Sequence, residues 1–257
     1  MNRVGEMRAG GFYYIEKMVL KQNSLVVNPE DYFVIEENIR RFILPIGTLY
    51  HMTVTQGFVG IFMKIHSEEI LKSVPRNVRD QIFTLSATDL DAYQSGDLKL
   101  QIDGSANNCG NKYTSNSEII KKRYASFLQS FTRQYNLRHD RECRLFQRKT
   151  KIYEIESLVE LNRLIAASSV QAVIFDKEIL PEDYKHSTVK DVVQGINYRV
   201  SIARLLGIFG TDTSGYMSYI HAVLRACRQA IWPANSNSIL DIMEIYHQVR
   251  VFRFGET

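Results

Sequence analysis

The stretch that decides the fold runs from Phe12 to Phe62 and reads FYYIEKMVLKQNSLVVNPEDYFVIEENIRRFILPIGTLYHMTVTQGFVGIF. It consists of short runs of aromatic and β-branched residues, which are typical of strands, separated by turn-forming residues such as Asn28-Pro29 and Gln56-Gly57. Short strands at this spacing predict a small antiparallel sheet, sandwich or barrel. The predicted strands are Phe12–Ile15, Leu25–Val27, Tyr32–Ile35, Arg41–Leu44, Leu49–Val54 and Phe58–Phe62.

Beyond this stretch the hydrophobic period changes from that of strands to that of helices. An amphipathic helix is predicted from Ser117, and a second one covers Ile152–Ser168. The apolar run Val170–Phe175 fits either a helix or a strand. Between the two halves we predict helices at His66–Val74 and Val78–Phe83, a turn at Thr88–Tyr93 and a strand at Leu98–Ile102.

The Gly, Asn and Ser cluster at residues 104–111 is the most linker-like part of the chain, and the predicted domain boundary lies there. We expect a mainly β sensor or assembly module at residues 1–103. A linker and basic helical connector follow at 104–179, and a helix-turn-helix-like helical domain occupies 180–257. The predicted fold class is α+β, with a mainly antiparallel β module followed by an all-helical C-terminal half.

The composition of the 257 residues is that of an ordinary globular protein, with 45% apolar and 23% charged side chains. No apolar stretch reaches the ~18–20 residues that a membrane span needs, and the first residues do not form a signal peptide. The three cysteines form no CxxC pair, which fits a reducing compartment. We therefore expect a soluble, cytoplasmic protein.

Positive charge is concentrated in one segment. The chain has a net charge of +4, whereas residues 112–151 hold 11 Lys+Arg and 3 Asp+Glu and so have a net charge of +8. Such a segment can follow a phosphate backbone, or it can be a solvated helix face that neighbouring charges neutralise. The predicted phosphate contacts are Lys121, Lys122, Arg123, Arg141, Arg144 and Arg148.

No motif predicts an enzyme. The GxxxxGK[ST], GxGxxG, HExxH and GxSxG patterns are all missing, and the six histidines lie at no metal-ligand spacing from a cysteine or from one another. His139-Asp140 near Cys143 could be a nucleophile cluster, but the surrounding arginines favour a charged surface. We therefore predict a protein without enzymatic activity, metal or cofactor.

The segment Ile202–Ile208 has the pattern of the first helix of a helix-turn-helix, with Ala203 where two helices would pack closely. Asp212 is a good N-cap for the next helix, since its carboxylate can accept backbone N–H groups. Tyr216, Ile220 and Leu224 then form one buried stripe and leave the other faces of this helix to contact DNA.

Residues 180–249 resemble the LuxR/FixJ-type (GerE) helix-turn-helix domain of bacterial transcription regulators. In that resemblance His186–Gln194 is the first helix, Gly195 ends it, and Ser238–Val249 is a dimerising fourth helix. Asp212 stands where the family has Thr, Tyr216 where it has His, and one extra residue precedes Ile202. Residues 1–179 match no family that we could name. The predicted DNA-contacting residues are Ser214, Gly215, Met217, Ser218, His221, Arg225, Arg228, Arg199 and Arg204.

These observations predict a transcriptional regulator that binds double-stranded DNA as a homodimer, with a possible small-molecule or protein effector at the β module. One alternative is a non-enzymatic interaction or assembly protein, such as a secretion-apparatus or viral structural component. Another is a sequence-independent nucleic-acid binder that uses residues 112–151, with aromatic side chains for stacking. Those aromatic candidates are Tyr113, Tyr124, Phe127, Tyr135 and Phe146.

Overall fold

The protein has an antiparallel four-stranded sheet and, within the residues described, seven α-helices. The computed structural model describes residues 7–20, 25, 28–73, 116–175, 180–184, 187–196 and 200–229. The predicted α+β class, with strands towards the N-terminus and helices towards the C-terminus, is confirmed. The strands are β1 (Phe12–Met18), β2 (Gly47–Val54), β3 (Phe58–Ile65) and β4 (Lys151–Ile155), in the order β2-β3-β1-β4. The helices are α1 (Pro29–Asn38), α2 (Glu68–Ser73), α3 (Asn116–Arg138), α4 (Leu158–Phe175), α5 (Thr188–Gln194), α6 (Ile202–Phe209) and α7 (Thr213–Gln229), and a π-helical turn at Ile39–Ile43 follows α1.

The central strands β1 and β3 pair in antiparallel register from Phe12 opposite Lys64 to Met18 opposite Phe58. Consecutive residues of both strands are buried, so both faces of the sheet are covered. The ring of Tyr14 stacks on that of Phe62 across the pair, with 4.4 Å between their centroids.

Two of the predicted strands are wrong, because Tyr32–Ile35 lies in helix α1 and Arg41–Leu44 lies mostly in the π-helical turn. The cause is a capping box at the start of α1. The Asn28 side chain accepts a hydrogen bond from the Asp31 backbone N–H at 2.8 Å, and the Asp31 carboxylate accepts one from the Asn28 N–H at 3.1 Å. This pair satisfies two N–H groups of the first helical turn, and it overrides the local preference of the aromatic residues for strands.

The predicted helix Ile152–Ser168 begins too early, since β4 occupies its first residues and helix α4 starts at Leu158. Ser157 and Glu160 cap this helix: the Ser157 hydroxyl accepts from the Glu160 N–H at 3.1 Å, and the Glu160 carboxylate accepts from the Glu156 N–H at 2.9 Å. The ambiguous run Val170–Phe175 continues the same helix. The second half of the chain is therefore not all-helical.

The described residues divide into two compact units. The first lies within Met1–Tyr50 and Gln56–Glu154, and the second within His51–Thr55 and Ile155–Thr257. Several predictions fall outside the described residues: the linker at 104–111, the elements at Val78–Phe83, Thr88–Tyr93, Leu98–Ile102 and Ser238–Val249, most of Leu25–Val27, and the DNA contact at Arg199. No helix in the described ranges has both the length and the apolar character that a membrane crossing requires.

In the second unit, helix α4 packs against α6 and α7. Tyr216, Ile220 and Leu224 are buried on one side of α7, as the sequence predicts. Cys227, one turn further along, is also buried, and this burial raises the pKa of its thiol to about 12. Cys143, in the first unit, is exposed.

A buried polar network lies beside these helices. His51 contacts the Thr53 hydroxyl at 2.9 Å through Nε2 and the Thr188 hydroxyl through Nδ1, and the Ser168 hydroxyl donates to Thr53 at 3.0 Å. All four side chains are fully buried, and desolvation lowers the pKa of His51 to about 3. His51 is therefore a neutral structural residue.

Candidate anion-binding groove

Helix α3 covers more than half of the positively charged segment 112–151, and it has one apolar face. Its buried residues recur with helical spacing, as predicted from the sequence, and α3 packs against α1, α2 and the π-helical turn. The ring of Phe131 contacts that of Phe146 in the segment after the helix, with 5.9 Å between centroids. The buried residues of α3 are Ile119, Ile120, Arg123, Tyr124, Phe127, Phe131 and Tyr135.

A groove of about 530 Å³ lies in the first unit, between one side of α3, the segment 144–147 and strand β1. Among the described residues, its walls combine three cationic side chains with apolar and amide groups and include no carboxylate. A surface of this composition attracts anions and carries no internal counter-charge. The lining residues are Lys17, Ala125, Leu128, Gln129, Thr132, Arg133, Arg144, Leu145, Phe146 and Gln147.

Lys17, on β1, is the buried cation of this groove, with only 5% of its surface exposed. Its ammonium donates to the Arg148 carbonyl oxygen at 3.2 Å and to the Thr150 hydroxyl at 3.0 Å. An ammonium has three N–H donors, and the third has no acceptor in the described part of the chain. Burial, and then the nearby positive charge of Arg144, lower the pKa of Lys17. A negatively charged ligand close to the ammonium would favour its charged form and so raise this pKa.

The other two cations lie at the rim. Arg144 is exposed, and its Nε donates to the Phe146 carbonyl oxygen at 2.7 Å, which holds the side chain over the segment that it belongs to. Arg133, exposed on α3, forms no ion pair or hydrogen bond with any described residue. The groove therefore has one fixed buried cation and two accessible ones.

The predicted phosphate-contacting residues differ in exposure, and not all of them lie at the groove. Arg123 is buried with 6% exposure, so it is not available to a phosphate on the surface, because the apolar face of α3 includes its position. Lys121 and Lys122 are both exposed, and Lys122 forms an ion pair with Glu118 one turn earlier. Arg141 donates to the Cys143 sulfur at 3.4 Å. Only Arg144 of the predicted set lines the groove, and Arg148, exposed nearby, contributes its carbonyl oxygen to Lys17.

Sequence reasoning missed Lys17 and did not select Arg133. The predicted strand ended at Ile15, two residues before Lys17, and a single lysine there gives no signal that it faces an arginine 127 positions later. The amphipathic pattern of α3 did place Arg133 opposite the apolar face, but the pattern could not show which cations share a groove.

The aromatic residues proposed for base stacking are buried in the first unit. Tyr124, Phe127, Tyr135 and Phe146 have exposures of 5% or less, so they belong to the core. Tyr113 lies outside the described residues.

The helices predicted to read DNA form with the expected bounds, and the Asp212 carboxylate caps α7 by accepting from the Gly215 N–H at 2.8 Å. Ala203, however, is exposed, so the predicted close helix crossing at that position is wrong: α6 turns Leu205 and Ile202 inwards instead. Exposed residues of α7 are Ser214, Ser218, Arg225 and Arg228, while Gly215, Met217 and, on α6, Arg204 are half-buried.

His221, which is also a predicted DNA contact, already contacts a carboxylate of the protein. Its Nε2 lies 3.0 Å from one oxygen of the Glu182 carboxylate and 3.1 Å from the other. A base edge would have to compete with this carboxylate for the imidazole. Among the described residues, moreover, no group of three or more His, Cys, Asp or Glu side chains could hold a metal ion.

Comparison with known proteins gives one structural match. No family model matches the chain, and no curated protein matches it. The chain is similar to a solved REP-associated tyrosine transposase bound to a REP hairpin, with 8% identity and a TM-score of 0.43, over 79% of this chain and 92% of the other. At this identity and TM-score the likeness assigns no activity, substrate or residue to the chain.

This match nevertheless contradicts two predictions from the sequence. The predictions of a transcription regulator and of a protein without enzymatic activity are withdrawn, because the solved structure found is that of a transposase. The resemblance of residues 180–249 to the LuxR/FixJ-type domain stays a prediction, as do the homodimer, the effector and the cytoplasmic location.

Proposed function

We propose that the chain binds nucleic acid through its phosphate groups, using the groove between α3 and β1 as the principal contact. The observation that carries this proposal is the groove's charge: Lys17, Arg133 and Arg144 line it, and no carboxylate of the described residues does. Phosphate contacts of this kind supply affinity without reading base sequence.

Two further observations support a phosphate as the anion. The segment from residue 112 to 151, which supplies most of the groove, has a net charge of +8, so the surrounding field also favours a polyanion. Lys121 and Arg148 are exposed in the same unit and extend the cationic surface beyond the groove. In the second unit, Arg225 and Arg228 on the exposed face of α7 would add contacts of the same kind.

The test is the salt dependence of binding to fluorescently labelled oligonucleotides, single-stranded and duplex, measured by anisotropy. In the double variant Arg133→Gln/Arg144→Gln we expect weaker binding to all sequences. The slope of log K against log salt should become shallower by about 0.7 per lost contact on a single strand and about 0.9 on a duplex. The matched control is Lys64→Gln/Arg163→Gln, which removes the same charge outside the groove.

The control separates a local effect from a general one. Lys64 lies at the opposite end of the β1–β3 pair from Lys17, since it pairs with Phe12. If both double variants change the slope equally, the groove has no special part in binding. If the unmodified protein binds no oligonucleotide at low salt, the proposed function is wrong.

A further inference from the structure

Resting on the proposed function, we propose that the groove selects a terminal phosphate monoester of a nucleic acid strand over the internal phosphodiesters. Three lines of observation lead to this: the number of cations in the groove, the unfilled hydrogen-bonding capacity of the Lys17 ammonium, and the low exposure of the Lys17 side chain.

The charge of the groove exceeds that of one internal phosphate. Lys17, Arg133 and Arg144 bring three positive charges together, and the part of the lining that the structure describes contains no carboxylate to offset them. An internal phosphodiester carries one negative charge, whereas a phosphate monoester carries about −1.5 to −2 at neutral pH and presents three acceptor oxygens. The terminal group therefore matches the groove better in both charge and number of acceptors.

The buried ammonium of Lys17 has a donor to spare. Two of its N–H groups bond to the Arg148 carbonyl and the Thr150 hydroxyl, and the third has no acceptor in the described residues. A donor that stays unsatisfied in a buried position costs free energy, which a ligand oxygen can recover. Arg144, whose charge lies close enough to lower the pKa of Lys17, could donate to oxygens of the same phosphate.

Access to Lys17 favours a chain end. An internal phosphate has a chain leaving on both sides, which limits how closely it can approach a buried side chain. A terminal phosphate has one such connection, so it can enter end-on and reach a side chain that is only 5% exposed. Arg133 and Arg144, at the rim, are then placed to contact the first internal phosphate as well.

The experiment compares three short oligonucleotides of one sequence: 5′-phosphorylated, 3′-phosphorylated and carrying hydroxyls at both ends. We expect one phosphorylated form to bind the protein about tenfold more tightly than the hydroxyl form, and the identity of that form assigns the strand end. Inorganic phosphate, added at increasing concentration at constant ionic strength, should weaken binding of the phosphorylated strand more than binding of the hydroxyl form, and so reduce the ratio of the two affinities.

Lys17→Met is the decisive variant because methionine keeps the length of the side chain and removes its ammonium. It should abolish the preference for the phosphorylated strand, measured as the ratio of its affinity to that of the hydroxyl form of the same sequence. If Lys17→Met does not fold, as judged by circular dichroism, Arg144→Gln serves instead and should reduce the preference at least threefold.

The outcomes separate this inference from the proposed function. Equal affinity for all three strands would overturn the terminal-phosphate inference and leave the proposed function in place. A preference that survives both Lys17→Met and Arg144→Gln would also overturn it, since another site would then recognise the end. Lack of binding to every strand at low salt would instead contradict the proposed function itself.

Discussion

Gly47, the first residue of β2, is the position where a single methyl group should do the most damage to the first unit. A Cβ built on Gly47 lies 2.5 Å from the carbonyl oxygen of Lys64 and even closer to the terminal methyl of Met63. Carbon and oxygen normally approach no closer than about 3.3 Å, so Gly47→Ala requires a displacement of about 0.8 Å.

The two contacts differ in how readily they can move. Met63 has three rotatable side-chain bonds and can turn its methyl aside. The Lys64 carbonyl belongs to β3, and Lys64 pairs with Phe12 of β1, so its movement disturbs the centre of the sheet. We therefore expect Gly47→Ala to lower the free energy of unfolding by about 2–3 kcal/mol, at the upper end of the usual cost of overpacking.

The assay is urea denaturation followed by circular dichroism, with Gly207→Ala as the control. Gly207 lies in helix α6, and a Cβ there meets nothing within 4 Å, so the same chemical change should stabilise the protein by about 0.5–1 kcal/mol. Adding Met63→Ala to Gly47→Ala should restore no stability, because the clash with the Lys64 carbonyl remains. Full stability of Gly47→Ala, or its rescue by Met63→Ala, would refute this reasoning.

Three other predictions concern the second unit. The fully buried His51 should make stability fall in mild acid: the unfolded chain takes up a proton below its ordinary pKa of about 6.5, whereas the folded protein does so only near 3. Between pH 7 and pH 5.5 the free energy of unfolding should therefore drop by about 1 kcal/mol more in the unmodified protein than in His51→Gln, and equal pH profiles would show that His51 is not held neutral. Asp212→Ala removes the cap on the Gly215 N–H and should cost about 1 kcal/mol in urea denaturation, whereas Asp212→Asn should retain most of that stability. Ala203→Leu, at an exposed position, should change the free energy of unfolding by less than about 0.5 kcal/mol, and a loss of 1–3 kcal/mol would instead restore the close helix crossing expected from the sequence.

Sequence periodicity predicted the parts of the fold in which local preference and burial agree. The apolar face of α3 and the stripe of Tyr216, Ile220 and Leu224 on α7 follow helical spacing, and both are buried as expected. The segment around Tyr32 could not be predicted in this way, because its aromatic residues favour strands while a capping box at Asn28 and Asp31 starts a helix.

The groove was less predictable than the elements around it. The concentration of positive charge in residues 112–151 did indicate an anion-binding region, and Arg144 belongs to both the predicted set and the groove. Lys17 comes from β1, more than a hundred residues away, and only the folded chain brings it to Arg144. The burial of Arg123 also depends on which side of α3 faces the sheet and α1, and the charge count carries no such information.

Cys143 is exposed and Cys227 is buried, and this difference makes it possible to measure how often helix α7 opens locally. A maleimide reacts with thiolates, so it should modify Cys143 promptly in the folded protein, while the Cys227 thiol, with its pKa near 12, reacts only when α7 separates from its neighbours. The rate at which peptides containing Cys227 acquire the label thus reports how often this helix detaches, without denaturant or heat. Mass spectrometry can follow the labelling of Cys227 over time. The labelling rate then measures how often the end of α7 opens within the second unit.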